Sequence, residues 1–239
     1  MSAKSTRFIQ TVFSEVPATY ELVNHILTFG LDRVWRKRAA RIASTAAPGE
    51  WADMCTGTGE TAVYLRRLAP KETRIWAVDI SPAMMAEATR KQEAESIDFV
   101  TADIKKLPFG DGSLDLITLS FATRNLNLSR EILAQSFSEF HRVLKSGGRL
   151  VNLETSQPRF ALVRKIFHLY VKLCVKRIGS RISGSETGYA YLAATITRFC
   201  PAEILADIIR RAGFEEVVFQ KLLFGVAAIH QAMKRGNKA

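Results

Sequence analysis

Three aspartates in the first half of this chain each lie at the end of, or just after, a short apolar run. Asp53 falls in Glu50-Trp51-Ala52-Asp53-Met54, Asp79 closes Arg74-Ile75-Trp76-Ala77-Val78-Asp79, and Asp103 follows Ile97-Asp98-Phe99-Val100. After the first run comes a glycine-rich stretch, Cys55-Thr56-Gly57-Thr58-Gly59-Glu60. Glycines in a turn after a strand let the backbone approach a nucleotide-like ligand where a Cβ would clash. Gly57-Thr58-Gly59-Glu60-Thr61-Ala62 fits the loose dinucleotide fingerprint, and Asp79 lies about 20 residues on, so this loop alone also admits a dehydrogenase.

Asp53 and Asp103 separate the two chemistries. A carboxylate just upstream of Gly57 repels a diphosphate and favours a sulfonium ligand with a free amino group. Asp103 can accept from an adenine amino group while the Ile104 N–H donates to the ring. Acids at three successive strand ends match the three parts of S-adenosylmethionine, each charged hydrogen bond being worth about 1.5–3 kcal/mol. The expected cofactor residues are Asp53, Gly57, Thr58, Gly59, Asp79, Ile80, Asp103, Ile104 and Ser120. The plainer readings are that Asp53 caps the turn and that Asp79 opens an Asx turn in Asp79-Ile80-Ser81-Pro82.

A second set of residues can act on a substrate. Arg124 and Asn125 follow Leu114–Ser120, a nearly continuous apolar run that reads as a fourth strand. Arg124 is always charged and suits an oxygen that becomes anionic, although a structural ion pair is the competing role. Tyr20, Tyr189 and Tyr191 can position a ring or relay a proton, or simply pack. No general base can be named. His141 and His230 read as packing residues, His25 and His168 are unassigned, and four scattered histidines give no metal-ligand spacing.

The elements that position these residues alternate. Helices fill the first 45 residues, with Asp32 as the expected N-cap of a helix from Arg33 to about Ser44 and Val34, Trp35 and Ala39 facing inward. Strands at 50–54, 74–79, 97–100, 114–120 and 149–154 then alternate with helices, one of them opened by Ser81-Pro82 and one running from about Arg130 to Leu144 before Ser146-Gly147-Gly148. This rhythm predicts an α/β fold with a parallel, doubly wound sheet whose strand C-terminal ends form the ligand edge. It breaks over 159–200, which reads as a helical insertion in a single domain, and a final pair of strands follows a helix at 202–212. Within the insertion, Val163, Ile166, Phe167, Tyr170, Cys174 and Ile178 recur at helical spacing over 160–178. Lys165, His168, Lys172 and Lys176 take another face. Such a helix fits a membrane surface or a lid over an isoprenoid tail, and equally an ordinary solvated helix.

Composition is that of a globular protein: 239 residues, 47% apolar and 24% charged. Cys55, Cys174 and Cys200 have no C-x-x-C spacing, which argues against a zinc site or disulfide framework and suits a reducing cytoplasm. The first 30 residues carry no signal-peptide core, and no apolar run is long enough to span a bilayer. The net charge of +11 concentrates in two places, Arg33 to Arg41 and Arg159 to Arg181, the latter without an acid. That balance suits nucleic acid, an anionic membrane or an acidic ligand.

Several motifs resemble class I methyltransferases: Asp53-x-x-x-Gly57-Thr58-Gly59, Asp79-Ile80-Ser81-Pro82-Ala83-Met84, Leu107-Pro108-Phe109 and Leu144-Lys145-Ser146-Gly147-Gly148-Arg149-Leu150. Others are more specific. Ser120-Phe121-Ala122-Thr123-Arg124-Asn125 is similar to the Phe-Gly-(Leu/Ile)-Arg-Asn motif of the ubiquinone/menaquinone biosynthesis C-methyltransferases. Tyr189-Ala190-Tyr191-Leu192 with Ile196, the start Phe13 to Tyr20 with Asn24, Gly30 and Trp35, and the ending Gly213-Phe214 with Gly225 to His230 also fit that family. The resemblance runs from about residue 8 to 233. It implies the Rossmann-like seven-stranded fold and methylation of a ring carbon of a polyprenylated quinol at or near a membrane. It also places Thr58, Asp79, Asp103, Ile104 and Ser120 around S-adenosylmethionine. Ala122-Thr123, Thr155, Gly188 and Ala194 depart from the family pattern where the ring should lie.

The expected partner is a prenylated aromatic lipid, with peripheral membrane contact and with homodimerisation left open. Nucleic acid is disfavoured, because no Asp/Asn-Pro-Pro-Tyr/Phe loop or Pro-Cys nucleophile occurs. A methyltransferase of another small aromatic and a non-catalytic cofactor-binding subunit remain the alternatives.

Overall fold

The computed structural model describes residues 17–127 and 129–236, so Phe13 of the N-terminal motif lies outside the described residues. Two helices, α1 (Pro17–Leu27) and α2 (Leu31–Ala43), precede the sheet. The alternation then runs β1 (Glu50–Met54), α3 (Glu60–Leu68), β2 (Arg74–Asp79), α4 (Pro82–Ala88), β3 (Asp98–Thr101), β4 (Leu114–Ser120), α5 (Thr123–Leu126), α6 (Arg130–Val143) and β5 (Leu144–Thr155). Helices α7 (Ala161–Tyr170), α8 (Lys176–Ser183) and α9 (Glu186–Arg198) form the expected insertion, followed by α10 (Ala202–Arg211), β6 (Glu215–Leu222) and β7 (Ala227–Met233).

The seven strands lie in the order β3-β2-β1-β4-β5-β7-β6. β1 to β5 pair in parallel, whereas β7 runs antiparallel to both β5 and β6. The residues between β6 and β7 are too few for a crossover, so those strands form a hairpin. Each face of the sheet has its own core. Leu133, Phe137 and Phe140 of α6 join Leu205 and Ile209 of α10 on one face. Ala39, Ala40 and Ala43 of α2 join Ala62 and Leu65 of α3 on the other. Each large side chain buried there contributes about 1.5–3 kcal/mol. Strand order reverses between β1 and β4, and the crevice at their C-terminal ends is the place such folds hold ligands.

Local expectations needed correction in three places. Asp32 is not the cap of α2: Gly30, with φ 75°, precedes the helix, and the Asp32 carboxylate accepts from the Thr28 hydroxyl at 2.6 Å inside the first turn. The inward stripe of α2 is accordingly Asp32, Arg36, Ala39, Ala40 and Ala43, while Val34 is 59% exposed. The Gly147-Gly148 pair does not end a helix. α6 stops at Val143, and the glycines sit in an early, irregular part of β5, where the Gly147 N–H donates to the Lys234 carbonyl at 2.7 Å. Finally, the helix expected over 160–178 contains a π-helical turn at Val171–Val175. That turn shifts the phase, so Val171 and Val175 are buried while Ile166 is exposed.

Candidate active site

The first cavity encloses about 1,020 Å³, counting space open to solvent, at the ends of β1, β2, β3 and β4. Gly57, Thr58, Asp79, Ile80, Asp103, Ile104 and Ser120 all border it, as do Tyr20 and Asn125. Asp79 ties two of the loops together: its Oδ2 accepts from the Gly57 N–H and its Oδ1 from the Ser81 N–H, both at 2.8 Å. Burial pushes its carboxyl above the ordinary range, against the pull of those N–H groups. Asp103 is partly exposed and paired with Lys105 at 2.9 Å.

Two expected cofactor residues stand outside this wall. Asp53 is 1% exposed, and its oxygens accept from the Thr56 and Thr118 hydroxyls at 2.7 Å each. It braces the base of the loop from within, so the plainer expectation of a turn-stabilising Asp53 is the one the geometry realises. Burial pushes its carboxyl up to about 6 although both hydroxyls work to lower it. Gly59 also faces away, toward α4, with φ 80° and room for no Cβ: one would lie 2.9 Å from the Ala88 Cβ.

The cavity fits a polar nucleoside ligand. Ser120 Oγ and Asn125 Oδ1 border it, are buried and have no hydrogen-bond partner within the protein. An unsatisfied buried group costs about 1–3 kcal/mol, which a ligand donor or acceptor offsets. The ends of β1 and β4 carry further strain, because Cys55 (φ 52°) and Phe121 (φ 58°) hold left-handed backbone without being glycine.

A second cavity of about 1,010 Å³ lies on the other side of Tyr20, Arg36 and Phe121, which border both. Its lining is chiefly apolar: Leu27 and Phe29 beside α1, Trp35 on α2, Phe167, Tyr170, Val171 and Val175 from the insertion, and Leu192 and Ile196 on α9. The insertion therefore roofs this space. Arg124 borders it with its side chain 4% exposed. Its Nη1 donates to Glu154 Oε1 at 2.9 Å and to the Phe121 carbonyl at 2.5 Å. Burial works to lower the guanidinium pKa, but Glu154 and Tyr20 outweigh it and hold it above its ordinary value. Arg124 is thus an ion-pair partner and a cavity residue at once, and its Nε is buried with no hydrogen-bond partner.

Tyr189 and Tyr191 border neither cavity. Tyr189 is 2% exposed and packs with Val23, Leu27, Met84, Val171 and Val175. Burial raises the pKa of both phenols. His141 stacks edge-on against Phe214, and the buried His230 Nε2 lies 2.9 Å from the Ala202 carbonyl, so both pack as expected. His168 Nε2 lies 2.7 Å from Gln157 Oε1.

Sequence reasoning missed the wall between the cavities. The Arg36 guanidinium lies 5.0 Å from the Phe121 ring centroid, donates to Thr61 Oγ1 at 3.2 Å and sits 3.4 Å from Glu60 Oε2. The signal was available, because the small residues Ala39, Ala40 and Ala43 define the buried stripe of α2. Continued backward at helical spacing, that stripe reaches Arg36 and then Asp32.

Known proteins share this chain's sequence and architecture. The ubiE/COQ5 methyltransferase family matches residues 1–234. The demethylmenaquinone methyltransferase of Thermus thermophilus is 38% identical over 221 residues, covering 92% of this chain and 98% of its own. The ubiquinone/menaquinone biosynthesis C-methyltransferase UbiE of Desulfotalea psychrophila is 32% identical over 226 residues, with 95% and 90% covered. Among solved structures, a SAM-dependent methyltransferase of Thermotoga maritima shares the fold at TM-score 0.59 and 19% identity, over 91% of this chain and 98% of its own. With the glycine loop, the strand-end acids and the seven-stranded sheet in agreement, the chain belongs to the ubiE/COQ5 methyltransferase family and is an S-adenosylmethionine-dependent methyltransferase.

Proposed function

We propose that this enzyme methylates a ring carbon of a reduced, polyprenylated quinol of the demethylmenaquinol kind, working against a membrane surface. The observation that carries the reading is the apolar second cavity, which shares a wall with the cofactor cavity and has a buried arginine at its edge. The relatives named for demethylmenaquinone support the same substrate class. S-adenosylmethionine, when bound, supplies an electrophilic methyl group on a sulfonium.

The protein's own residues do the rest. Gly57, Thr58, Asp79, Ile80, Asp103, Ile104 and Ser120 hold the cofactor in the first cavity. Asn125 borders that cavity, where its unpartnered Oδ1 can fix a ligand donor. Arg124 stabilises the ring oxygen as it becomes anionic, a contribution that grows toward the transition state. Tyr20 borders both cavities and positions the ring against the cofactor. Apolar walls exclude water and hold the first isoprene units, so the carbon is aligned by proximity. Thr155 borders this cavity in place of the phenylalanine usual in the family and makes that side roomier and more polar.

The rim favours a lipid surface. Phe29, Leu223 and Phe224 are 83%, 50% and 75% exposed, and Phe160, Leu162 and Ile166 at the start of the insertion are 69%, 71% and 59% exposed. Seven basic residues and no acid lie between Arg159 and Arg181 on the same insertion. Exposed apolar side chains flanked by cations are the composition of a peripheral membrane contact. No helix among the described residues is long and apolar enough to cross a membrane.

The test uses methyl-labelled cofactor with lipid extract. Label should enter organic-extractable material under reducing conditions and not under oxidising ones. Label in RNA or protein, or label in lipid independent of reduction, overturns the reading.

A further inference from the structure

Among the described residues, five charged side chains border the cofactor cavity: the acids Glu60, Asp79 and Asp103 and the cations Arg36 and Lys105. The roles above leave both cations unassigned. Lys105 is committed nearby, its Nζ 2.9 Å from Asp103 Oδ2. Arg36 is held more loosely. It is 6% exposed, donates from Nη1 to Thr61 Oγ1 at 3.2 Å, and packs its guanidinium 5.0 Å from the Phe121 ring centroid. Its ion-pair partner is Glu60, whose Oε2 stands 3.4 Å from Nε, yet Nε is buried with no hydrogen-bond partner. Glu60 is itself shared: its Oε1 lies 3.4 Å from His25 Nε2, and His25 Nδ1 lies 2.6 Å from Asp32 Oδ2. A guanidinium has five N–H donors, and the Thr61 bond uses one. A buried cation paired this loosely gains from a second anion.

We propose that Arg36 receives the carboxylate of the cofactor's methionyl group, whatever ring the apolar cavity takes. S-adenosylmethionine carries positive charge on its sulfur and amino group, which the acids of the cavity attract. Its carboxylate is the part those acids repel, and a cation must offset that repulsion. Strand order sets the ligand's direction. Asp103, which suits the adenine amino group, follows β3; Asp79 closes β2; the glycine loop follows β1; and Ser120 ends β4. With its adenine beside β3, the ligand has its methionyl end beside β1 and β4. Lys105 lies two residues past Asp103, at the adenine end. Arg36 lies at the other end, because its partner Thr61 is the second residue of α3, after the glycine loop, and Phe121 directly follows β4. Arg36 is therefore the cation that the carboxylate meets, and its planar fork matches the two carboxylate oxygens.

Two ligands isolate the carboxylate: S-adenosylhomocysteine and its decarboxylated analogue, which keeps the adenosine, the thioether and the amine. Calorimetry on the full chain should show S-adenosylhomocysteine bound at least about tenfold more tightly, the worth of one charge-assisted hydrogen bond. In Arg36→Met that preference should fall to about one, since neither ligand then meets a guanidinium. Arg36→Lys keeps a charge beside Glu60 and should retain part of the preference, because an ammonium lacks the fork. Thermal melts establish that each variant folds. A residue that serves only to stabilise Glu60 would change both affinities by the same factor and leave their ratio alone. An undiminished preference in any folded variant therefore overturns the proposal, as does equal binding of the two ligands by the unaltered enzyme. Failure of S-adenosylhomocysteine to bind overturns the cofactor reading of the first cavity, and the proposal with it.

Discussion

The Arg124 guanidinium and the Glu154 carboxylate meet at 2.9 Å with side chains 4% and 0% exposed, and the Arg124 backbone N–H donates to the same carboxylate at 3.0 Å. Removing one partner of a buried pair strands the other charge, at about 3–5 kcal/mol. Arg124→Leu should therefore lower the melting temperature as well as turnover. Turnover of the molecules that remain folded should still fall about a hundredfold, with much less change in cofactor affinity. Arg124→Lys should restore stability better than rate, because an ammonium lacks the planar fork. Calorimetry for cofactor binding and single-turnover kinetics check this. Near-normal turnover in folded Arg124→Leu would leave the residue with a structural role alone.

Asp53 gives the protein an unusual acid response. Burial lifts its carboxyl from 3.8 to about 6, so the fold favours the protonated form. A raised folded-state value contributes stability that is complete below the unfolded value of 3.8 and is lost as pH rises through about 6. Asp53→Asn should remove that dependence and raise the melting temperature at pH 8 relative to the unaltered protein. Thermal melts between pH 4 and 8 measure it. An unchanged slope in the variant would assign the pH response to other groups.

Ser120→Ala should move two quantities in opposite directions. The Ser120 hydroxyl is buried without a partner, so its loss leaves the ligand-free protein equally or more stable. Cofactor binding should weaken by about tenfold, the loss of one hydrogen bond. Denaturant titration of the ligand-free chain and calorimetry of the complex read the two effects separately. A variant that is less stable and binds normally would show that Ser120 serves the fold.

Gly179 lies against an aromatic ring, where an added Cβ would stand 2.1 Å from Tyr189 Cδ1. Gly179→Ala should push the ring out of its packing at a cost of about 1–3 kcal/mol. Because Tyr189 packs with α1 and the π-helical turn under the insertion, the damage should stay local. The substrate KM should rise while cofactor affinity holds, and hydrogen exchange should quicken in α8 and α9 before the sheet. Uniform exchange across the sheet would mean that the insertion and the sheet unfold together.

The sheet was legible because short apolar runs, nearly continuous in Leu114–Ser120, alternate with helices and are bounded by turn residues. The cofactor loop was legible because its glycines are local in sequence. Asp53 misled for a reason of geometry: a strand-end carboxylate can face the ligand or fold back on its own turn. Two threonines, Thr56 and the distant Thr118, decide which. Tyr189 and Tyr191 carried motif information but no directional information: neither borders a cavity, Tyr189 packs among apolar side chains, and Tyr191 lies within electrostatic reach of Arg124. The cluster of His25, Asp32, Arg36 and Glu60 is drawn from three helices, and its ion pairs depend on helix docking that no local pattern encodes. Only the stripe of small residues on α2 hinted that a charged pair points inward.

Tyr20, Arg36 and Phe121 serve both cavities, and Phe121 is held in left-handed backbone with its N–H donating to the Leu153 carbonyl at 2.7 Å. Two ligands that press on the same three side chains do not bind independently. Whatever factor the cofactor imposes on quinol affinity, the quinol must impose on the cofactor, because the coupling free energy is one quantity read from either side. Cofactor affinity is thereby tied to lipid occupancy through a partition of three residues.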